Sequence, residues 1–179
     1  MSDWRDELRD AWDERDGPRL LTLATVDEAS EPAARMLVVR DFADNGDLLM
    51  CTDARSDKWA ELRHQPAASA VVWFEPQRLQ FRIRGQCVPE ESEAERERVW
   101  RAMSDSARSL FAWPAPGEAK AEDDAFVESV KETAEVPSNF GLLRLMPQTV
   151  DRLDLRPHPH RRTIWRRQGD DWQGQDVNP

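Results

Sequence analysis

The sequence of 179 residues contains no tyrosine, only three lysines, three histidines, seven glycines and two cysteines. Cys51 and Cys87 are too few for a disulfide framework or a four-thiolate metal site. No apolar run approaches the ~18 residues that a membrane-spanning helix requires, so no membrane partner is expected. Nucleophile and phosphate-loop signatures are missing too: there is no Gly-x-Ser-x-Gly, no Walker-type glycine loop and no His-Glu-x-x-His. His64 stands alone, and His158 and His160 flank a proline without a third ligand at suitable spacing, so no metal is expected. The acidic, amphipathic start Met1-Ser-Asp-Trp-Arg-Asp-Glu-Leu8 is neither a secretory signal nor a transit peptide. A reduced, soluble, cytoplasmic protein is the expectation.

What is present is enough for a core. Eight tryptophans and six phenylalanines distinguish the chain from a disordered one, despite 34% charged residues. The length suits one domain, expected over 1–179. The net charge is −10. A field of that sign repels nucleic acid, and no nucleic-acid partner is expected. The charge is uneven, however. Residues 90–135 are strongly acidic, whereas Arg152–Arg167 carries six arginines against one aspartate. A basic segment on an acidic chain suggests a local anion site.

Trp4, Leu8, Ala11 and Trp12 recur at helical spacing, predicting an N-terminal helix within 1–16 that Gly17-Pro18 ends. Strands are expected at Leu20–Val26, Ala34–Phe42 and Leu48–Thr52, the last two joined by an Asn-Gly turn. Ser56 opens a short helix to about His64. Ala68–Phe74 reads as a buried strand. Leu79–Val88 alternates apolar and polar residues with the clearest period of two in the chain. Ser92-Glu-Ala-Glu95 is a capping box for a helix to about Met103, and a second acidic helix is expected near Ala119–Thr133; together they make a helical insert over 90–135. Four closing strands, Phe140–Met146, Thr149–Leu155, Thr163–Arg167 and Trp172–Val177, fill 139–179. About nine short antiparallel strands with three or four helices favour a mainly-β α+β barrel.

Candidate site residues are mostly cationic. Arg35 and Arg40 bracket the apolar strand Arg35-Met-Leu-Val-Val-Arg40. Lys58 lies in the first turn of the helix opened by Ser56. Free N–H groups, a hydroxyl and an ammonium there suit a phosphate dianion, although the same triplet is also an ordinary cap with a solvated lysine. Gln80, Arg82 and Arg84 share one face of the alternating strand, which is also what a solvent-facing side looks like. The two cysteines read better as small core residues than as catalytic thiols.

Four segments in this order resemble the pyridoxamine 5′-phosphate oxidase family, the FMN-binding split barrels. They are Arg35-Met-Leu-Val-Val-Arg40; Leu49-Met-Cys-Thr52 with Ser56-Asp-Lys58; Gln80-Phe-Arg-Ile-Arg-Gly85; and Pro147–Leu153 with His160-Arg-Arg162. The resemblance runs from about Arg19 to the end. It implies an antiparallel split β-barrel flanked by helices, with FMN as cofactor. Arg35, Ser56 and Lys58 would hold the FMN phosphate, with Cys51 and Thr52 beside them. The backbone of Met36, Leu37, Val38 and Val39 would lie against the flavin ring, and Arg40 near its reactive face. Gln80 and Arg162 would reach FMN from the opposing subunit of a homodimer whose cofactor sites form at the interface. Arg40, Arg162 and His160 would position a small anionic substrate for oxidation.

The departures bear on the substrate. Asp57 stands where the family's enzymes place a second arginine, and Leu153 where they place a tryptophan over the cofactor. The oxidase's substrate-binding tyrosine and arginine are missing from Trp100-Arg-Ala-Met-Ser104. The segments Phe111-Ala-Trp-Pro-Ala-Pro-Gly117 and Pro137-x-Asn-Phe140 instead resemble an oxidase-like FMN-binding side branch. Oxidation of pyridoxamine 5′-phosphate or of a related small substrate is therefore the expected activity. A non-catalytic flavin or haem carrier and a reductase using reduced nicotinamide are the alternatives.

Overall fold

A computed structural model describes residues 3–14 and 16–179. Met1, Ser2 and Arg15, which the expected N-terminal helix included, lie outside the described residues. The strands are β1 (Leu20–Val26), β2 (Pro32–Phe42), β3 (Leu48–Asp53), β4 (Ala67–Phe74), β5 (Leu79–Pro89), β6 (Phe140–Asp154), β7 (Arg161–Gln168) and β8 (Asp171–Val177). They pair antiparallel in the order β3-β2-β1-β4-β5-β6-β7-β8, and β3 pairs with β6 as well. That extra pairing closes six strands into a barrel, with β7 and β8 extending from β6. The fold is the expected mainly-β split barrel with helices around it.

Period-two burial builds the interior. Leu21, Leu23, Val39, Val72, Phe81, Ile83 and Cys87 point into the barrel, while their neighbours face outward. Helix α1 (Trp4–Asp13) covers the end where β2 and β4 finish. Asp3 caps it by accepting from Arg5 N at 2.9 Å, and its buried stripe is Trp4, Leu8, Ala11 and Trp12, as the spacing requires. Trp4 stacks edge-on to Trp172 at 5.1 Å, and Trp12 meets Phe42 at 5.6 Å. Helix α2 (Asp57–His64) covers the end where β2 and β6 begin. It packs so closely that a methyl group on Gly141 would lie 2.5 Å from the Trp59 ring.

Two expectations are corrected. The segments Phe140–Met146 and Thr149–Leu155 are one 15-residue strand, β6, so the described residues form eight strands rather than nine. Pro147 interrupts the sequence pattern but not the strand. It falls between the half of β6 that pairs with β3 and the half that pairs with β7, opposite Gly85 where β5 shifts register. A residue without an N–H is tolerated at such a break in the ladder.

The second correction concerns the insert. Helix α3 (Glu93–Ala102) starts as predicted, with Ser92 Oγ accepting from Glu95 N, and a short α4 (Asp105–Ser109) follows it. No helix spans Ala119–Thr133; a single 3-10 turn covers Asp123–Ala125. The backbone there is satisfied by other partners. Trp113 Nε1 donates to Val127 O, Arg108 Nε to Val130 O and Arg101 to Glu132 O, while Val130 N donates to Asp105 O. Val127 O and Val130 N are groups that a helix would have paired internally. The insert rests on a second core of Val99, Trp100, Met103, Phe111, Phe140 and Leu142.

Candidate functional site

The barrel end beneath α2 gathers charge. Arg35 donates to Thr25 Oγ1 and pairs with the buried Glu61 carboxylate at 2.8 Å. Thr25 Oγ1 also donates to Glu61, at 2.5 Å. Lys58 Nζ donates to Ser56 Oγ at 2.8 Å. Burial pushes the Lys58 ammonium below its ordinary value, and the charge of Arg35 pushes the same way; Asp53, Glu61 and Asp57 oppose them. Ser56 is the cap residue by position, but its hydroxyl donates to Asp53 O at 2.6 Å and caps no N–H. The first turn of α2 is thus left without a side-chain acceptor. Asp57 is exposed in that turn. Two cations, one of them ion-paired with Glu61, stand at an uncapped helix start that can accept an anion, with Asp53 and Asp57 nearby.

A cavity of about 570 Å³ adjoins this end along the outer side of β2 and β3. Its floor is Met36, Leu37, Val38, Arg40, Cys51, Thr52 and Asp53. Met36 is 63% exposed, an unusual state for an apolar strand residue in a barrel wall. Arg40 Nε lies 3.2 Å from Cys51 Sγ, a weak acceptor. Val39 points into the core and can offer the cavity only its backbone. The roof runs from Ala107 to Phe126. Arg35, Ser56 and Lys58 do not line the cavity; Ser56, which also accepts from Lys58, joins it through the Asp53 carbonyl.

Arg162 and His160 lie elsewhere in the chain. They border a separate depression with Glu7, Arg152 and Trp165. Arg162 shares the Asp151 carboxylate with Arg82, at 2.9 and 2.6 Å, and His160 is exposed. Gln80 is opposite Leu153, which is opposite Arg162, so the two residues stand two strands apart in one cross-strand row. The same outward face carries Trp73, opposite Gln80 and 39% exposed. A larger cavity of about 860 Å³ between α2 and α3 holds none of the predicted site residues. Among the described residues, no group of three or more His, Cys, Asp or Glu is placed to hold a metal.

Several organising residues escaped the sequence reading. Asp53 receives Arg55 and Asn139; burial pushes its carboxyl up, but these donors pull it below the usual carboxylate range. Arg108 is fully buried and donates to Trp100 O and Val130 O. Their longer-range partners leave no local signal: Asn139 is 86 positions from Asp53, and Val130 is 22 from Arg108.

Comparison with known proteins agrees with this fold. The family model described as pyridoxamine 5′-phosphate oxidase, FMN-binding domain, matches residues 1–89. A pyridoxine/pyridoxamine 5′-phosphate oxidase from a Cyanothece species is 32% identical over 173 residues, covering 90% of this chain and 79% of its own length. The chain belongs to the pyridoxamine 5′-phosphate oxidase family. The oxidase of the same name from Thermosynechococcus vestitus is 33% identical with similar coverage. A pyridoxamine 5′-phosphate oxidase-related, FMN-binding protein from Nostoc punctiforme superposes with a TM-score of 0.90 at 34% identity, over 100% of this chain and 99% of that one. PhzG from Burkholderia lata, crystallised with tetrahydrophenazine-1-carboxylic acid, shares the fold, with a TM-score of 0.83 at 23% identity, over 98% of this chain and 90% of that one.

The residues of this family member fit FMN. The uncapped start of α2 with Ser56, Lys58 and Arg35 suits a phosphate, and the exposed Met36 with the half-buried Val38 offers an apolar floor for a flat ring. The cysteines report on the same cavity. Cys87 is fully buried, and burial pushes its thiol up to about 12, whereas Cys51 lines the cavity. A thiol reagent at neutral pH should therefore modify one cysteine per native chain, Cys51, and added FMN should slow it. Peptide mapping of the labelled protein checks this; equal labelling of Cys51 and Cys87 in the native state would contradict it.

Proposed function

We propose that this chain is an FMN-dependent oxidoreductase that oxidises a small anionic substrate and works as a homodimer. The observation that carries the reading is the pairing of Arg35, Ser56 and Lys58, at an uncapped helix start, with an adjoining cavity floored by the outer side of β2. When bound, FMN supplies a two-electron acceptor. Arg35, Ser56 and Lys58 would hold its phosphate, and the backbone of Met36 to Val39 would adjoin its ring. Arg40 places a positive charge where a reduced ring or an anionic substrate needs one.

The homodimer is supported by the outward sheet face. Gln80 and Arg162 are about 10 Å apart across two strand spacings, beside the exposed Trp73 and Val71. A second copy covering that face would bury these apolar groups and bring Gln80, Arg162 and His160 to the neighbouring cavity. Light scattering is expected to give a dimer. Arg162→Ala is expected to weaken FMN binding a few-fold, although Arg162 lies outside the cavity of its own chain. A strict monomer, or an Arg162→Ala variant with unchanged FMN affinity, would reject the shared site.

Oxygen uptake by the FMN-loaded protein, with pyridoxamine 5′-phosphate among a panel of small anionic reductants, tests the activity. Uptake with at least one of them is expected. A flavin band that none of them bleaches anaerobically would leave a carrier rather than an oxidoreductase.

A further inference from the structure

We propose that Asp53 is a positioning residue: its carboxylate holds Arg55 and Asn139, and these two side chains hold the roof over the cavity along β2 and β3. The proposal rests on the FMN-site reading above for what the cavity holds, and it adds which residue sets the roof against the floor.

The sequence singles out two segments, 111–117 and 137–140, that the proposed reaction does not use. The structure brings them together. Asn139 Nδ2 donates to Phe111 O at 2.9 Å and to Asp53 Oδ2 at 3.1 Å. The Phe111 ring meets Phe140 edge-on at 4.8 Å. Asn139 O accepts from Ala54 N at 2.8 Å, so the asparagine is fixed to the end of β3 by backbone as well as side chain.

Arg55 makes the second tie. Its Nη2 donates to Asp53 Oδ2 at 2.6 Å and to Trp113 O at 3.0 Å, and its Nε donates to Asp53 Oδ1 at 3.0 Å. The Asp53 side chain is only 11% exposed, so water competes little for these charged bonds. Its carbonyl meanwhile accepts from the Ser56 hydroxyl at 2.6 Å. One residue therefore has its backbone on the phosphate end of the site and its carboxylate on the roof.

The roof has few other ties. Among the described residues, Phe111 O and Trp113 O are the only groups of the stretch 111–121 that hydrogen-bond across to the barrel side of the cavity. Pro114 and Pro116 have no N–H to add another. A segment held by so few bonds opens locally when one of them is lost.

The test uses the two cysteines. Cys51 lies on the cavity floor beneath the roof, and Cys87 is fully buried in the barrel core. Flavin-free native protein, Asp53→Asn, Asn139→Ala and Arg55→Lys are treated with iodoacetamide, a small uncharged reagent, and labelling is followed by peptide mapping. Arg55→Lys keeps a cation beside Asp53 but loses the planar fork that reaches Asp53 and Trp113 O together. Cys51 alkylation is expected to rise about tenfold in each variant, the factor that one hydrogen bond to a charged group carries, while Cys87 stays unlabelled. Asn139→Ala should add less in the Asp53→Asn background than in the native one, because both act through one carboxylate. After FMN loading, the variants should retain their flavin, since Ser56 and Lys58 are untouched, but show a less resolved shoulder on the flavin absorption band, as a ring open to water does. Cys51 rates that stay native in the variants, or equal acceleration of Cys51 and Cys87 through general loosening, would overturn the positioning role and leave the FMN reading intact. A native chain that takes up no FMN would overturn the FMN reading and leave the Cys51 result standing.

Discussion

Lys58→Ala is expected to lower the affinity for FMN by about 10- to 100-fold, the equivalent of the roughly 1.5–3 kcal/mol that a hydrogen bond to a charged group contributes. The ammonium is half-buried against Ser56 and crowded by Arg35, so the folded chain holds it below its ordinary value before any anion arrives. A phosphate at the start of α2 relieves that crowding by adding negative charge between the two cations. The sign of the pH dependence follows. The phosphate contact needs the protonated amine, so FMN affinity should be full well below the lysine's lowered value. It should then fall as pH rises through that value, earlier than an ordinary lysine would allow. In Lys58→Ala this alkaline limb should disappear. Lys131→Ala removes an exposed lysine paired with Asp105 and should leave FMN affinity unchanged. Fluorescence titration with FMN across pH reads all three.

Gly85→Ala is expected to cost roughly 3 kcal/mol or more of stability, at the upper end of overpacking penalties, because the clash is with backbone rather than with a flexible side chain. A methyl group there would lie 2.0 Å from Met146 O and 3.0 Å from Pro147 Cα. Domains of this size carry about 5–15 kcal/mol in total, so the loss is a large share of it. The midpoint of thermal unfolding should fall by about 6–12 °C, at roughly 2–4 °C per kcal/mol for a chain of this length. The bulge at Gly85 lies where β6 passes from β3 to β7, so both the cavity floor and the Arg162 strand depend on it. A Gly85→Ala protein with an unchanged midpoint would show that β6 adjusts there at little cost.

Period-two strands and the N-terminal helix were legible in the sequence because their signals are local. Leu79 to Cys87 alternates without exception, and Trp4, Leu8, Ala11 and Trp12 fall on one helical stripe, so each pattern names its own buried face. The start of α2 was legible for the same reason, since Ser56 and Lys58 are two residues apart. The continuity of β6 was not, because a proline inside a strand reads as a break unless the ladder around it is known. The absent second acidic helix failed for the complementary reason. Its carbonyls are taken by Trp113, Arg101 and Arg108, and no window of sequence contains both partners. The same limit hid the pairing of Arg35 with Glu61 and that of Asn139 with Asp53. Arg162 and His160 are a different case: the resemblance named them, and one chain alone keeps them away from the cavity.

The most direct test of the central claim is titration of flavin-free protein with FMN, followed by flavin fluorescence quenching, for the native chain beside Lys58→Ala. The account predicts saturation at one FMN per native chain and a weakened isotherm for the variant. A native chain that leaves FMN fluorescence untouched, or a Lys58→Ala isotherm that overlays the native one, would contradict it.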